Sequence, residues 1–447
     1  MTGFFLHLLI CWYPCLTNST ATEPEARALG ELVQAYFETA DAKRRDELAG
    51  DIITASKDDW RVVADTFAML QLWPRVPRDG TIIMPASSPK ELRVLYQVPH
   101  TYDPSKRYPL LICLPHAGAM PEGLFGLIEK YLGDVLPEFV VVVPSTPGQT
   151  TFHRPSKEPL DVRELVRAIR GQIHVDTDRT YLMGLAEGGD AAWMAALAHP
   201  DLFAGVISHV GYPRIPYPDQ VYPFYLENLR GLPVLTVWHV PSEKWTTGER
   251  VDLVHRHNSA LVDLANRQGL PIHGAALEWP APEAPMFPSE LAVPILEKRR
   301  ASGPRAVCHW FRYPSQGHAG WVRVLKFRGD VWEDQQLSIA ARPTVDFDAY
   351  VREVIQSKLA YLGGRIEGQL VEVETRGCEG IEVMLGPDFV DFERPVTITI
   401  NGTGRVRSEI IRPDIRTMLT GACEEWDFQR LILARMSFTV KSDATDE

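Results

Sequence analysis

The residues Gly184-Leu185-Ala186-Glu187-Gly188-Gly189 follow the apolar run Tyr181-Leu182-Met183 and lead into a small-residue segment, Asp190 to Leu197. Glycines at these spacings permit a tight strand-to-helix turn. Such a turn presents its central side chain to a pocket, and the next amide N–H can stabilise an oxyanion. The chemistry this geometry serves is nucleophilic attack on a carbonyl, yet the centre is Ala186, which has no nucleophilic atom. Removing the serine from a hydrolytic triad costs about 10⁶ in kcat and leaves about 10³–10⁴ over water. Other groups could complete such a site. His318, in Gly317-His318-Ala319-Gly320-Trp321, and Glu243, in His239-Val240-Pro241-Ser242-Glu243, are titratable residues that each follow an apolar run. The amide of Glu187 is the candidate oxyanion donor, and Ala117 and Gly118 follow the apolar run Leu110–Leu114. Each residue also has a plain structural reading. His318 fits a hydrogen-bonded loop histidine, Glu243 a solvated loop acid and His116 a loop residue, and the glycines fit ordinary turns.

Positioning these groups needs strands that end in loops at one edge of a sheet. Short apolar runs at Thr81–Met84, Leu92–Val98, Leu110–Leu114, Phe139–Val143, Thr180–Met183, Val206–His209, Val234–Val240 and Ala306–Tyr313 read as strands. Several are wholly apolar, as strands covered on both faces must be. Between them, Glu122–Leu136, Asp161–Ile173, Asp190–Leu197 and Arg250–Gln268 read as helices. That alternation implies an α/β fold with a mostly parallel, doubly wound sheet. Residues 22–75 read as a helical preface, with a Thr22 cap, an early Pro24 and an apolar stripe through Leu29, Leu32, Val33, Tyr36 and Phe37; Asp58 to Leu70 reads as a second striped helix. Residues 336–447 read as a β-rich appendage, because Leu370–Thr375, Ile381–Leu385, Val396–Asn401 and Met436–Val440 lack long helices between them. Pro213–Leu229 and Leu277–Pro294 read as cap segments over the loop layer.

The elbow pattern, the Ala198-His199-Pro200-Asp201-Leu202-Phe203-Ala204-Gly205-Val206 exit and the order elbow, Glu243, His318 together resemble the α/β-hydrolase superfamily. The resemblance spans roughly residues 90–325 and points to the esterase, polyhydroxyalkanoate-depolymerase-like and prolyl-oligopeptidase-like branch. It implies the α/β-hydrolase fold over 76–335, an ester- or peptide-type ligand, small or polymeric, a serine at the elbow, His318 as general base, Glu243 as the triad acid, and Ala117 and Gly118 with Glu187 as the oxyanion hole. Ala186 departs from that pattern, and Pro115-His116 departs from a His-Gly-Gly oxyanion loop. The resemblance therefore implies an impaired hydrolase that binds a ligand or partner. Two alternatives stand beside it. One is an active ester or peptide hydrolase that uses a water with His318 and Glu187 or Glu243. The other is an exported interaction protein acting through its C-terminal strands.

Composition narrows the function classes. Of 447 residues, 46 are Lys or Arg and 58 are Asp or Glu, giving a formal net charge of −12, the wrong sign for a general nucleic-acid binder. No apolar run is long enough to span a bilayer as a helix. No phosphate loop or dinucleotide fingerprint occurs, and no Cys-x-x-Cys; the rings of His255 and His257 point apart on a helix. No cofactor and no metal are therefore expected. Residues 1–21 resemble a signal peptide that lacks a basic start, so a secreted or periplasmic destination is expected, with a cytoplasmic one as the alternative. Export would allow Cys378 and Cys423 to pair; Cys113 and Cys308 read as buried thiols.

Overall fold

A computed structural model describes residues 23–85, 92–116, 118–145, 162–215, 218–242, 249–279, 286–300, 303–328, 346–402 and 407–440. The segment read as a signal peptide lies outside the described residues. The chain forms two compact units, divided after Leu72.

The first unit holds α1 (Glu23–Glu38), α2 (Ala42–Ala55) and α3 (Trp60–Thr66). Asp41 caps α2 by accepting the Lys43 N–H, and Asp59 caps α3 by accepting the Arg61 N–H, each satisfying one orphan amide of a helix start. Leu29, Val33, Leu48, Ile52 and Val63 form its buried face. Helix α2 was not anticipated: its Lys43-Arg44-Arg45-Asp46-Glu47 start hides a stripe of only a few apolar residues.

The second unit opens with β1 (Asp79–Thr81), β2 (Arg93–Gln97), β3 (Tyr108–Leu114), α4 (Pro121–Leu132), β4 (Val140–Ser145), α5 (Val162–Arg170) and β5 (Val175–Leu185). It continues through α6 (Glu187–Ala198), β6 (Gly205–His209), α7 (Pro218–Tyr225), β7 (Val234–His239), α8 (Glu249–Gln268), β8 (Ile272–Leu277) and α9 (Val293–Leu296). These eight strands make one sheet in the order β1-β2-β4-β3-β5-β6-β7-β8. Strand β2 is antiparallel to both neighbours, and β3 to β8 are parallel. Alternation sends Leu110, Ile112, Val140 and Val142 to the face covered by α5, α6 and α8, and Leu111, Cys113, Val141 and Val143 to the face covered by α4 and α9. Strand β8 was missed because Ile272-His-Gly-Ala-Ala-Leu277 is half exposed at the sheet edge and neither alternates nor stays apolar.

The run expected at Ala306–Tyr313 forms a strand, but not in this sheet. It is β9 (Ala306–Phe311), followed by β10 (His318–Ala319), β11 (Val322–Phe327), α10 (Phe347–Lys358), β12 (Ala360–Glu367), β13 (Leu370–Arg376), β14 (Cys378–Leu385), β15 (Val396–Ile400), β16 (Arg407–Glu409), α11 (Ile415–Glu425) and β17 (Ala434–Thr439). Strand β9 ends a five-stranded sheet, β16-β15-β13-β12-β9, and β10 and β11 begin a four-stranded one, β10-β11-β14-β17. Cys378 and Cys423 are both buried, and no disulfide joins them. Among the described residues no helix is long and apolar enough to cross a membrane.

Candidate functional site

Strand β5 runs straight into α6 through Ala186, whose backbone stands at φ 51°, ψ −113°. Its N–H donates to the His209 carbonyl at the end of β6 (2.9 Å), and its own carbonyl accepts from Asp190 N–H (3.1 Å). The glycines are required by contact: a Cβ on Gly184 would lie 2.0 Å from the Gly188 carbonyl oxygen, and one on Gly188 would lie 2.0 Å from that of Leu114. The start of α6 is thus pressed against the end of β3. Its first amides, Glu187 onward, have no acceptor within the helix and open toward this edge of the sheet. Gly118, at φ 76°, lies exposed in the turn after β3. Ala117 and Glu243 lie outside the described residues.

A charged group sits one turn along α6. Asp190 is buried and accepts from the Tyr212 N–H (3.0 Å) and from Arg250 (3.1 Å), and it forms an ion pair with Arg214, whose Nε lies 2.6 Å away. Burial raises its carboxyl above the ordinary value, against the pull of Arg250, the Tyr212 amide and Arg214. The Glu187 carboxylate lies 4.0 Å from Arg250 Nη1. Tyr212 stacks on His257 with ring centroids 4.7 Å apart. This arrangement offers amide donors and a guanidinium beside an elbow that carries only a methyl group.

His318 does not join the elbow. Its Nδ1 lies 3.0 Å from Asp201 Oδ2 and 3.2 Å from Arg163 Nη2, and Arg163 in turn bridges Asp201 (2.8 Å) and Glu425 (3.2 Å). Burial disfavours ionising Asp201, but Arg163 and His318 together outweigh it and hold the carboxyl well below the usual range. Asp201 precedes β6, whereas the elbow meets the end of β6. The twelve residues of α6 that separate the two ends span about 18 Å at 1.5 Å per residue. The reason is topological. Gly317 to Trp321 form a tight hairpin in which His318 pairs with Arg323 and Ala319 with Val322, and Gly320 supplies the positive φ of 58°. The Gly-His-Ala-Gly-Trp run is thus a turn of the four-stranded sheet. The last strand of the eight-stranded sheet is β8, and residues 278–305 between it and β9 contain no histidine.

Sequence reading also passed over two buried imidazoles at the elbow end of the sheet. His209 and His239 close β6 and β7 with ring centroids 5.9 Å apart; His209 packs edge-on to Tyr131 and Phe287, and His239 stacks on Trp279. The Nε2 atoms of both are buried and meet no hydrogen-bond partner among the described residues. Burial pushes His209 down to about 3, aided by His239. Strand-end position was the signal available in the sequence, but apolar neighbours made both look like core.

Comparison with known proteins falls on this same region. Residues 160–271, from α5 to the end of α8, match the family model described as "Putative esterase". A curated relative, "Putative esterase NocK" of Nocardia uniformis subsp. tsuyamanensis, is 37% identical over 76 residues, which is 17% of this chain and 20% of the relative. Among solved structures, a thermostable esterase aligns at 18% identity over 50% of this chain and 63% of its own, with a TM-score of 0.38. An esterase of the planctomycete Thermogutta terrifontis aligns at 11% over 46% and 83%, with a TM-score of 0.34. The strand order, the antiparallel β2 and the elbow between β5 and α6 give the second unit an α/β-hydrolase fold, and within it residues 160–271 are similar to the esterase family model.

Proposed function

We propose that this protein is an esterase-lineage binding protein, holding an ester- or acyl-type ligand at the elbow without serine-hydrolase turnover. One observation carries the reading. The chain keeps the elbow's positive-φ backbone and its glycine packing around Ala186, which can neither attack a carbonyl nor lose a proton. The absence of histidine from residues 278–305 supports it, because a restored serine would lack the usual base. The α6 amides and Arg250 still provide donors for a carbonyl or carboxylate. The alternative of a water-based hydrolase with His318 finds no support, since His318 is engaged with Asp201 at the other end of β6.

The test pairs a fluorophosphonate probe with p-nitrophenyl butyrate, on wild type and Ala186→Ser. We expect no labelling and no turnover above buffer for either protein, with saturable binding of the intact ester to wild type by ligand-observed NMR. Labelling of wild type at a residue of the elbow would overturn the reading. Labelling of the variant alone would show that a base persists beside the elbow.

A further inference from the structure

A cavity of about 730 Å³ lies away from the elbow, where the base of the eight-stranded sheet meets the five-stranded one. Its walls include Pro200, Phe203, Leu232, Ala306 and Cys308, and its size is that of a small-ligand site. Strand β9 is the outer strand of its sheet, so one row of its backbone groups is not used by β12. Which residues own that row follows from the register. Ala306, Cys308 and Trp310 lie opposite Arg365, Gly363 and Tyr361, and the Ile366 N–H donates to the Arg305 carbonyl (2.7 Å). In an antiparallel pair, hydrogen-bonded and non-hydrogen-bonded residues alternate. The odd-numbered residues of β9 therefore bond to β12, and the even-numbered ones turn their N–H and C=O outward.

At Trp310 that outward pair is already satisfied, and by an amide. The buried Asn228 accepts the Trp310 N–H at Oδ1 (2.8 Å) and donates from Nδ2 to the Trp310 carbonyl (2.8 Å). It does what one residue of a neighbouring strand would do. The next two outward pairs, at Cys308 and Ala306, open on the cavity with no such partner among the described residues. His309 also lines the cavity; it is fully buried, and its Nδ1 has no hydrogen-bond partner among the described residues.

From this we infer that the cavity accepts a short extended peptide, which pairs with the free edge of β9 beyond Asn228. One ligand residue exchanges two hydrogen bonds with Cys308, and the residue two positions along does the same with Ala306. The core is thus three residues, about 10 Å long at 3.3 Å per residue. The side chains it favours are small and apolar, because most of the wall charges are already engaged, among them Glu227 with Arg230 (3.1 Å), Arg365 with Glu372, and Arg300 with Asp427 (2.5 Å). This site is independent of the elbow reading and stands or falls separately.

The test uses the full chain and N-acetyl-Ala-Val-Ala-amide, with affinity followed by ligand-observed NMR. Wild type binds it saturably. N-methylating both outer alanines removes the donors that face β9 and weakens binding at least tenfold, while N-methylating the central valine, whose N–H faces away, does not. Gly231 lines the cavity, and a Cβ there meets nothing within 4 Å, so Gly231→Phe adds bulk at the cavity wall without a Cβ clash and also weakens binding at least tenfold. Cys308→Pro, tolerable on an edge strand whose N–H points outward, gives a second loss. No saturable binding at millimolar peptide, equal affinity for the outer-methylated analogue, or an unchanged affinity in Gly231→Phe would each overturn the proposal.

Discussion

Ala186 holds a conformation that costs an L-residue about 1–3 kcal/mol, and that persists only where the surroundings impose it. Here they do, through the bond from its N–H to His209 and the glycines packed on either side. A serine in this place would put the strain to use by presenting its hydroxyl; alanine carries the same strain with no chemical return. Ala186→Gly removes the Cβ conflict at φ 51° but adds about 0.5–1 kcal/mol of unfolded-state entropy. We expect a net gain of about 1 kcal/mol, read as a higher urea midpoint at unchanged slope; a lower midpoint would mean that the turn is not strained. The same residue shows how far the sequence could be read. The glycine spacing around Ala186 was legible because the constraint is local. The partner of His318 was not, because Asp201 lies 117 positions away and reaches it only through the packing of one sheet on another.

At the scale of elements, the junction of β3, β5 and α6 is set by backbone touching backbone. Gly188 packs on Leu114 and Pro115, and its would-be Cβ lies 2.0, 2.6 and 2.7 Å from their backbone atoms. Main chain cannot swing aside as a side chain can. Gly188→Ala should therefore cost more than the about 1–3 kcal/mol usual for overpacking and drive most of the protein into the insoluble fraction. Gly123, in the first turn of α4, has nothing within 4 Å of a Cβ; Gly123→Ala should leave solubility intact and raise stability by up to about 1 kcal/mol. Equal effects of the two substitutions on soluble yield and melting temperature would show that the close approach is not what fixes this turn. Most of the parallel strands were legible because they are apolar on both faces. Strand β8 was not, since its outer residues meet water. Strand β9 was recognised as a strand but assigned to the wrong sheet, because an apolar run carries no label for its partner.

Across the whole second unit, the charges and the imidazoles buried among them set how the fold answers to acid. Burial holds His199 at about 3, with Arg163 adding to the effect, and His309 at about 4, where the bond to the Gln316 carbonyl only partly offsets it; His209 stands at about 3 for the reason already given. All three are neutral in the fold, whereas in the unfolded chain they take up protons below about 6.5. The sign follows from linkage. Below that pH the unfolded state binds more protons, so the stability these residues contribute is complete above about pH 6.5 and drains as pH falls toward their folded values. Asp201 and Asp427 behave differently. Burial opposes their ionisation, but Arg163 and His318 around Asp201, and Arg300 and Arg170 around Asp427, overcome it and hold both carboxyls below the ordinary range. Their contribution persists until pH falls below about 4. Acid should therefore act in two stages, histidines first and ion pairs second. Urea midpoints at pH 7.5, 6.0 and 5.0 should fall progressively; these three residues contribute at most about three protons' worth, or about 4 kcal/mol per pH unit, and His174 and His239, which burial also lowers, add to it in the same direction. His209→Phe, which places a ring without a titrating nitrogen between Tyr131 and Phe287, should flatten that slope by up to one proton. A midpoint that stays level from pH 7.5 to 5.0, or a slope untouched in His209→Phe, would mean that these imidazoles reach solvent and protonate in the folded state.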